Sequence, residues 1–108
     1  MSPVGYIRAM TYEIRQTRSF AHWHASLRDL GARIAVARRI ERAAAGNLGD
    51  VKSVGEGISE LRVHVGAGYR VYFTTRNQTL IVLLIGGSKS TQSADIKQAK
   101  ALAKEVLP

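Results

Sequence analysis

The sequence contains no cysteine, two prolines and half as many acidic as basic residues. Without cysteine, no disulfide or thiolate metal site can form, and we expect a reducing compartment, the cytoplasm. The longest aliphatic run, residues 80–85, is far shorter than the ~20 residues of a membrane-spanning helix. No signal-peptide pattern stands at the N-terminus. These absences exclude a disulfide scaffold and predict a cytoplasmic protein without a membrane span.

The chain has a strong excess of positive charge. Sixteen Lys and Arg residues against eight Asp and Glu give a formal net charge of +8 on 108 residues. A chain of this length forms one domain with a single modest core. Such a charge on a small surface favours negatively charged partners, which are nucleic acid, an acidic protein or an anionic membrane.

The N-terminal part of the chain changes its period twice. Residues 1–9 contain Pro and Gly without a clear period and predict a flexible extension, so that the domain occupies 10–108. Alternation from Tyr12 to Thr17 predicts a strand with one buried face. Ser19 is then expected to cap a helix whose apolar stripe ends before Gly31. This stripe consists of Phe20, Trp23, Leu27 and Leu30.

A second helix is predicted from about Ala32 to Ala45, where Gly46 supplies a stop. At 100° per residue, its apolar face and its basic face separate cleanly. The two helices therefore predict a hairpin with a basic outer surface. The apolar face contains Val36, Ala37, Ile40, Ala43 and Ala44, and the basic face contains Arg38, Arg39 and Arg42.

The C-terminal half predicts a loop, three strands and a helix. Residues 46–57 form a glycine-rich loop that carries Lys52. Strands are expected at about 58–65, 69–76 and 79–85, with connections short enough for hairpins. The helix, at about 93–106, turns three lysines outward and four apolar residues inward. These are Lys97, Lys100 and Lys104 on one side and Ile96, Ala99, Ala103 and Val106 on the other.

The stretch "LLIGGSKSTQSADI" superficially resembles a nucleotide phosphate loop. A GxxxxGK[ST] loop needs glycine directly before the lysine and five residues earlier, so that backbone N–H groups can wrap the phosphates. Ser88 and Leu83 occupy those positions. We therefore predict no nucleotide site here, and the role of Lys89 depends on the rest of the chain.

The first predicted hairpin concentrates positive charge. If "GAG" closes a three-residue loop, Val65 faces Tyr69, His64 lies across from Arg70, and Arg62 lies across from Tyr72. Such a cluster repels itself unless an anion is near, which favours a phosphate-bearing ligand. The alternative is a solvated sheet face on which Glu60 pairs with Arg62.

Two lysines flank the same hairpin. Lys89 leaves the sheet after the third predicted strand, and Lys52 lies on the loop that enters the first. A lysine among other cations can exchange protons near neutral pH. Both are candidates for proton transfer at the sheet face or its rim. For each lysine alone, a solvated surface charge is the alternative.

Two segments closely resemble a known toxin family. "GNLGDVKSVGEGISELRVHVGAGYRVYF" and "LLIGGSKSTQSADIKQAK" are similar to the addiction-module killer group of the RelE/ParE toxin superfamily, also described as HigB-like or phage Gp49-like. The resemblance covers about residues 11–106. It implies an α+β RelE-like domain in which an N-terminal helical hairpin and a C-terminal helix flank a twisted, mainly antiparallel four-stranded sheet. It also implies the toxin of a type II toxin–antitoxin system, usually a ribosome-dependent mRNA endoribonuclease that arrests translation.

The resemblance also implies residue roles. Arg70 in "GYRVYF" matches the arginine that RelE-like nucleases place on the scissile phosphate, and Arg62 matches a neighbouring basic position. Lys89 falls near the segment where many relatives supply His or Tyr. Lys52, Lys89 and His64 are the nearby candidates for proton transfer, and Tyr72 is a candidate for orienting or stacking a base. The predicted RNA- or antitoxin-binding residues on the helices are Arg38, Arg39, Arg42, Lys97, Lys100 and Lys104.

The expected chemistry uses the 2′-OH of the RNA and neither a cofactor nor a metal. The three histidines, His22, His24 and His64, are not joined by a carboxylate at ligand spacing. The expected partners are the ribosome with its mRNA and a cognate antitoxin, a helix-turn-helix protein encoded downstream, through which alone the toxin reaches promoter DNA. The alternative is a non-catalytic, ParE-like inhibitor that binds DNA gyrase.

Overall fold

A computed structural model describes residues 11–106, so the extension predicted for residues 1–9 lies outside the described residues. The described chain contains five strands, three helices and one turn of 3-10 helix. None of the described helices has the length and apolarity that crossing a membrane requires. In chain order the elements are β1 (Glu13–Gln16), α1 (Arg18–Ser26), α2 (Leu30–Ala44), β2 (Val51–Gly55), β3 (Ile58–Val63), β4 (Tyr69–Arg76), β5 (Leu80–Ser88), the 3-10 turn (Lys89–Thr91) and α3 (Gln92–Glu105).

The strands form one mixed sheet in the order β1-β5-β4-β3-β2. β1 runs parallel to β5, and the remaining pairs are antiparallel. The α+β class is confirmed, but the prediction of four strands is wrong. The additional strand is β2, which lies inside the predicted loop 46–57. Its Lys52 lies opposite Glu60 of β3, and only this pairing makes the glycine-flanked segment a strand.

Helices cover both faces of the sheet. On one face, Phe20 of α1 and Val36 of α2 pack against Leu61, Val71 and Phe73 of the sheet. On the other face, two small residues of α3, Ala99 and Ala103, bring that helix close to a second apolar cluster. This cluster includes Ile58, Tyr72, Val82, Leu84 and Ile85. The central strands are therefore buried on both sides, as their apolar composition predicts.

The first two helices differ from the prediction at their ends. Thr17, not Ser19, caps α1, because its hydroxyl accepts from the Phe20 N–H at 3.0 Å and donates to the Leu84 carbonyl at 2.6 Å. Asp29 caps α2, so Gly31 lies inside that helix. Leu30 begins α2 and is 59 % exposed. α1 packs mainly on β5 and only slightly on α2, so the two helices do not form the closely packed hairpin that was predicted.

The last helix is close to its predicted limits. α3 begins at Gln92 and ends at Glu105. Ala99 and Ala103 are buried as expected, whereas Val106 lies beyond the helix and is 36 % exposed, so its predicted burial is wrong. Val106 is the C-cap residue, whose N–H still donates to the Leu102 carbonyl, and it follows Ala103, the last buried residue of α3.

Gly86 and Gly87 lie within β5 and form no phosphate loop. A Cβ atom at Gly86 would stand 2.2 Å from the Trp23 ring, and one at Gly87 would collide with the Asp95 carboxylate. Gly86 therefore allows α1, and Gly87 allows α3, to pack closely on the strand. This packing explains the glycine pair that resembled a nucleotide site.

Phe73→Ala tests the larger core cluster. Phe73 is 3 % exposed, and the lost packing should reduce the free energy of unfolding by about 3 to 5 kcal/mol. Thr75→Ala changes an exposed residue of the same strand and should cost less than about 1 kcal/mol. Urea unfolding followed by circular dichroism measures both. Equal losses would contradict the placement of Phe73 in the core.

Candidate active site

The first hairpin has a different register from the predicted one. Val63 lies opposite Tyr69, and Arg62 lies directly opposite Arg70. The prediction that Val65 faces Tyr69 is therefore wrong by two residues. Because side chains alternate with a period of two, a slip of two residues leaves every side chain on its predicted face. The two arginines are consequently closer partners than the sequence indicated.

The slip arises from a wider turn than "GAG" alone provides. The Val65 N–H donates to the Val63 carbonyl at 3.1 Å, and the Gly68 N–H donates to the Val65 carbonyl at 2.9 Å. Gly66 and Gly68 both have positive φ, 53° and 83°, which glycine adopts at little cost. His64 therefore leaves the strand and lies in the turn.

A buried carboxylate joins the two arginines. The side chain of Glu60 has no solvent exposure, and its Oε1 lies 3.2 Å from Arg62 Nε and 3.4 Å from Arg70 Nε. The Arg62 contact is a hydrogen bond, whereas the Arg70 contact is an ion pair without hydrogen-bond geometry. Oε2 accepts from the Tyr72 hydroxyl at 3.1 Å and from Gln92 Nε2 at 2.7 Å.

This network fixes the charge of its members. Burial opposes ionisation of Glu60, but hydrogen bonds from Gln92, Arg62 and Tyr72 and the charge of Arg70 bring its pKa below the ordinary value. Burial, and then the neighbouring Glu60 charge, raise the pKa of the Tyr72 phenol. Glu60 is thus an anion and Tyr72 a neutral donor at pH 7.

Tyr72 does not have the exposed position expected of it. The residue has no solvent exposure and contributes to the apolar cluster beneath α3. The expectation of an accessible stacking ring is wrong, because α3 covers this part of the face that carries the arginines. Its hydroxyl instead holds Glu60.

Four of the five predicted catalytic residues line one open cavity of about 390 Å³. Arg62, His64, Arg70 and Lys89 contribute to its wall, together with the turn between β3 and β4. Lys89 begins the 3-10 turn and is exposed, and its N–H donates to the Gly68 carbonyl at 3.3 Å. Lys52 is exposed on the edge strand β2 and does not line this cavity.

Asp50 is a site residue that the sequence did not reveal. Its Oδ2 lies 2.6 Å from His64 Nε2, and its Oδ1 lies 4.0 Å from Arg62 Nη1. The hydrogen bond with His64 lowers the pKa of Asp50, and the Arg62 charge adds to this. Three cations, Arg62, Arg70 and Lys89, therefore face two carboxylates, Glu60 and Asp50. The cavity keeps a net positive charge when His64 is neutral.

A second cavity of about 450 Å³ continues the first. The two share Arg62, His64 and the apolar residues beside them. Arg38 and Arg42 of α2 line its far side, and both are exposed. A basic channel therefore leads from α2 past the end of β3 to Lys89.

Arg39 was expected on the same outer face and is instead buried, with 7 % exposure. Its Nε donates to the Arg62 carbonyl at 3.2 Å, and its Nη2 donates to the Leu48 carbonyl. Burial lowers the pKa of Arg39, with repulsion from Arg42 second. The outward orientation predicted for it is wrong, because the loop after α2 folds over its guanidinium. Gly49 permits this approach, since a Cβ there would lie 2.7 Å from Arg39 Nη2.

The lysines of α3 differ in their surroundings. Lys97 and Lys104 are exposed as predicted. Lys100 is partly buried and pairs with Glu56 Oε2 at 3.2 Å. None of the three belongs to the described walls of the two cavities, so any contact they make with RNA lies outside the channel.

The histidines do not assemble a metal site. His24 Nε2 lies 2.9 Å from the Arg33 carbonyl, and its ring stacks near Phe20. His22 is exposed on α1. Within residues 11–106, no three His, Cys, Asp or Glu side chains gather closely enough to hold an ion.

The chain is similar to a known protein family and to a protein of known sequence. The family described as "Phage derived protein Gp49-like (DUF891)" matches residues 26–107. An uncharacterized protein of Haemophilus influenzae is 50% identical over 97 residues, which cover 90% of this chain and 98% of that protein. Both matches include all the residues of the cavity.

The Glu60 network predicts an acid-sensitive fold. Although burial opposes ionisation, hydrogen bonds from Gln92, Arg62 and Tyr72 hold the pKa of Glu60 below its ordinary value in the folded state. Its ionisation therefore contributes stability at neutral pH, and this contribution is lost as pH falls through the folded-state pKa. Glu60→Gln should lower the free energy of unfolding by about 1 to 3 kcal/mol at pH 7 and reduce its decline between pH 5 and pH 3. Urea unfolding across this range measures the effect.

Glu13→Gln supplies the matched control, because Glu13 forms an exposed pair with Arg15 on β1. It should keep the pH dependence of the parent. A Glu60→Gln protein with the parent's pH dependence would contradict the assignment of a lowered pKa.

Proposed function

Because the chain belongs to the Gp49-like family of phage-derived proteins, a RelE-like toxin group, we propose that it is the toxin of a type II toxin–antitoxin system and cleaves messenger RNA on the ribosome. The observation that carries the proposal is the convergence of Arg62, Arg70, His64 and Lys89 on one open cavity. These side chains meet the needs of phosphodiester cleavage, which are charge stabilisation and proton transfer.

The reaction uses the RNA's own 2′-OH as the nucleophile. This hydroxyl loses its proton and attacks the adjacent phosphorus, and the 5′-oxygen leaves with a proton, which yields a 2′,3′-cyclic phosphate and a free 5′-hydroxyl. Arg70, assisted by Arg62, binds the non-bridging oxygens and stabilises the extra charge of the phosphorane. Guanidinium suits this task because its fork of donors matches two phosphate oxygens.

Two residues of the cavity can transfer protons. His64 is held by Asp50, and an imidazole is suited to acid–base exchange near neutral pH. Lys89 lies on the opposite side of the turn and is exposed. Tyr72 takes no part, since its phenol is buried and hydrogen-bonded to Glu60. Lys52 lies outside the cavity wall, which makes it a weaker candidate than the other two.

The basic channel supplies a path for the RNA chain. Arg38 and Arg42 line the cavity that adjoins the candidate active site. Their contacts with phosphates give affinity without sequence choice, and this affinity declines as salt rises. Lys97 and Lys104 offer a separate exposed basic surface on α3 for ribosomal RNA or for an antitoxin.

The second candidate is a non-catalytic, ParE-like inhibitor of DNA gyrase. The observation in its favour is that both arginines already have carboxylate partners: Arg62 pairs with Glu60 and Asp50, and Arg70 pairs with Glu60. Buried ion pairs of this kind also occur for purely structural reasons. Under this alternative, the channel binds an acidic protein surface.

Arg70→Ala tests the nuclease. We expect the variant to lose growth arrest and to cleave about 10²- to 10³-fold more slowly, because a main donor to the transition state is gone. Arg28→Ala removes an exposed arginine from the loop between α1 and α2 and should cleave like the parent. Primer extension on ribosome-bound transcripts measures cleavage, and circular dichroism confirms folding.

Two results would contradict the nuclease. A folded Arg70→Ala protein as toxic as the parent would show that the phosphate site is wrong. Intact messages together with trapped gyrase–DNA complexes would favour the ParE-like alternative.

Co-expression of this chain with the product of the adjacent reading frame tests for an antitoxin. We propose that this reading frame encodes an acidic helix-turn-helix protein. It binds this chain, whose formal net charge is +8, restores growth and brings the complex to its promoter. The charge contribution to binding should weaken as salt rises. Pull-down and growth assays check this. A neighbour that neither co-purifies nor relieves arrest, with no other acidic partner that does so, would leave a stand-alone RNA-binding module as the better account.

A further inference from the structure

Arg62 and Arg70 are direct cross-strand partners of equal charge. Like charges in this position repel each other, and flexible side chains would separate. In the structure they converge, because Oε1 of Glu60 lies within 3.4 Å of both Nε atoms. A single buried carboxylate therefore holds together two cations that would otherwise move apart.

Glu60 contacts the Nε side of each guanidinium and leaves the terminal nitrogens to other partners. Arginine has five N–H donors, of which only one is on Nε. Glu60 Oε1 lies beside Nε in both residues, as a hydrogen bond for Arg62 and as an ion pair without hydrogen-bond geometry for Arg70. Within residues 11–106 the terminal nitrogens of both arginines make no hydrogen bond, and Arg62 Nη1 has an ion pair with Asp50 Oδ1 at 4.0 Å. Both residues also line the open cavity. The terminal nitrogens of Arg70 thus have no carboxylate partner among the described residues, and those of Arg62 have only the long contact with Asp50.

Glu60 is itself fixed from two other elements. Tyr72 of β4 and Gln92 of α3 donate to Oε2, so that the carboxylate cannot rotate without losing a hydrogen bond. An apolar residue at such a buried position is often as stabilising as an ion pair. Stability alone therefore does not explain a carboxylate beneath the arginines, whereas orientation of their side chains does.

We propose that Glu60 is a positioning residue of the candidate active site, which holds Arg62 and Arg70 at the spacing that receives the non-bridging oxygens of one phosphodiester. The inference rests on the proposed nuclease and names the group that organises it. Glu60 does not touch the RNA. The sequence suggested the pairing of Glu60 with Arg62 as an alternative to a phosphate site. Under this proposal the pairing is part of that site.

Glu60→Gln tests the proposal, with Glu13→Gln as the control for loss of one negative charge. In single-turnover cleavage of messenger RNA on ribosomes, the rate constant at saturation should fall about 10- to 100-fold for Glu60→Gln. The half-saturating concentration should stay within about threefold, because much of the affinity comes from other phosphate contacts. A merely structural role would lower the folded fraction and leave the rate constant of the folded molecules unchanged.

Gln92→Ala provides a second variant that leaves all three charged groups in place. It removes the 2.7 Å hydrogen bond to Glu60 and should lower the same rate constant to a smaller degree, about two- to tenfold. Parent-like rate constants in both variants would overturn the proposal. So would a loss confined to the half-saturating concentration, since that result describes binding without positioning.

A measurement independent of cleavage separates this inference from the proposed function. In ¹H–¹⁵N spectra, the Nε group of Arg62, which donates to Glu60, should give a slowly exchanging signal in the parent and in Glu13→Gln and lose it in Glu60→Gln. The Nε signal of Arg70, which lies 3.4 Å from the carboxylate, should move to a different position in Glu60→Gln. Added inorganic phosphate should shift the Arg70 signal less in Glu60→Gln than in the parent. If the parent does not cleave RNA but these differences appear, the nuclease fails and positioning by Glu60 stands. Identical spectra and phosphate shifts overturn the positioning role.

Discussion

The buried carboxylate of Glu60 is the constraint on which the arrangement around the cavity depends. A charge without solvent exposure is costly unless donors surround it, and here the donors come from β3, β4 and α3. The same contacts that make the buried anion tolerable also fix Arg62 and Arg70. Packing of α3 on the sheet and alignment of the two arginines are therefore coupled through one side chain.

The rest of the fold places reactive groups around this centre. The turn after β3 moves His64 out of the sheet and toward Asp50. The end of β5 brings Lys89 to the other side of that turn. Arg39, from beneath, holds the backbone of β3 at Arg62. Segments outside the strands thus carry His64 and Lys89, the proton-transfer candidates of the cavity, while strands carry the candidate phosphate ligands, as is usual when a rigid sheet supports a site.

Much of the arrangement was predictable from periodicity. Arg62 and Arg70 were expected on one face, and this survived a register error of two residues because the side-chain period of a strand is also two. Convergence of Lys89 with them followed from its place directly after the third predicted strand. By contrast, the starts of α1 and α2 were displaced, because Thr17 and Asp29 act as the caps in place of Ser19 and a break at Gly31. Of the two caps, Thr17 also has a tertiary contact, the hydrogen bond from its hydroxyl to the Leu84 carbonyl.

The resemblance to a known family implied the α+β class. The residue pattern by itself determined the apolar and polar faces of the central strands, the basic character of the surface and the absence of cysteine chemistry. These follow from composition and from local periods, which every chain segment carries with it. Only the tertiary structure decided that Glu60 is buried and shared by two arginines, that Arg39 turns inward, and that β2 is a strand. Each of these depends on contacts between segments distant in the chain, whose strength comes from burial and hydrogen-bond geometry that no local pattern contains.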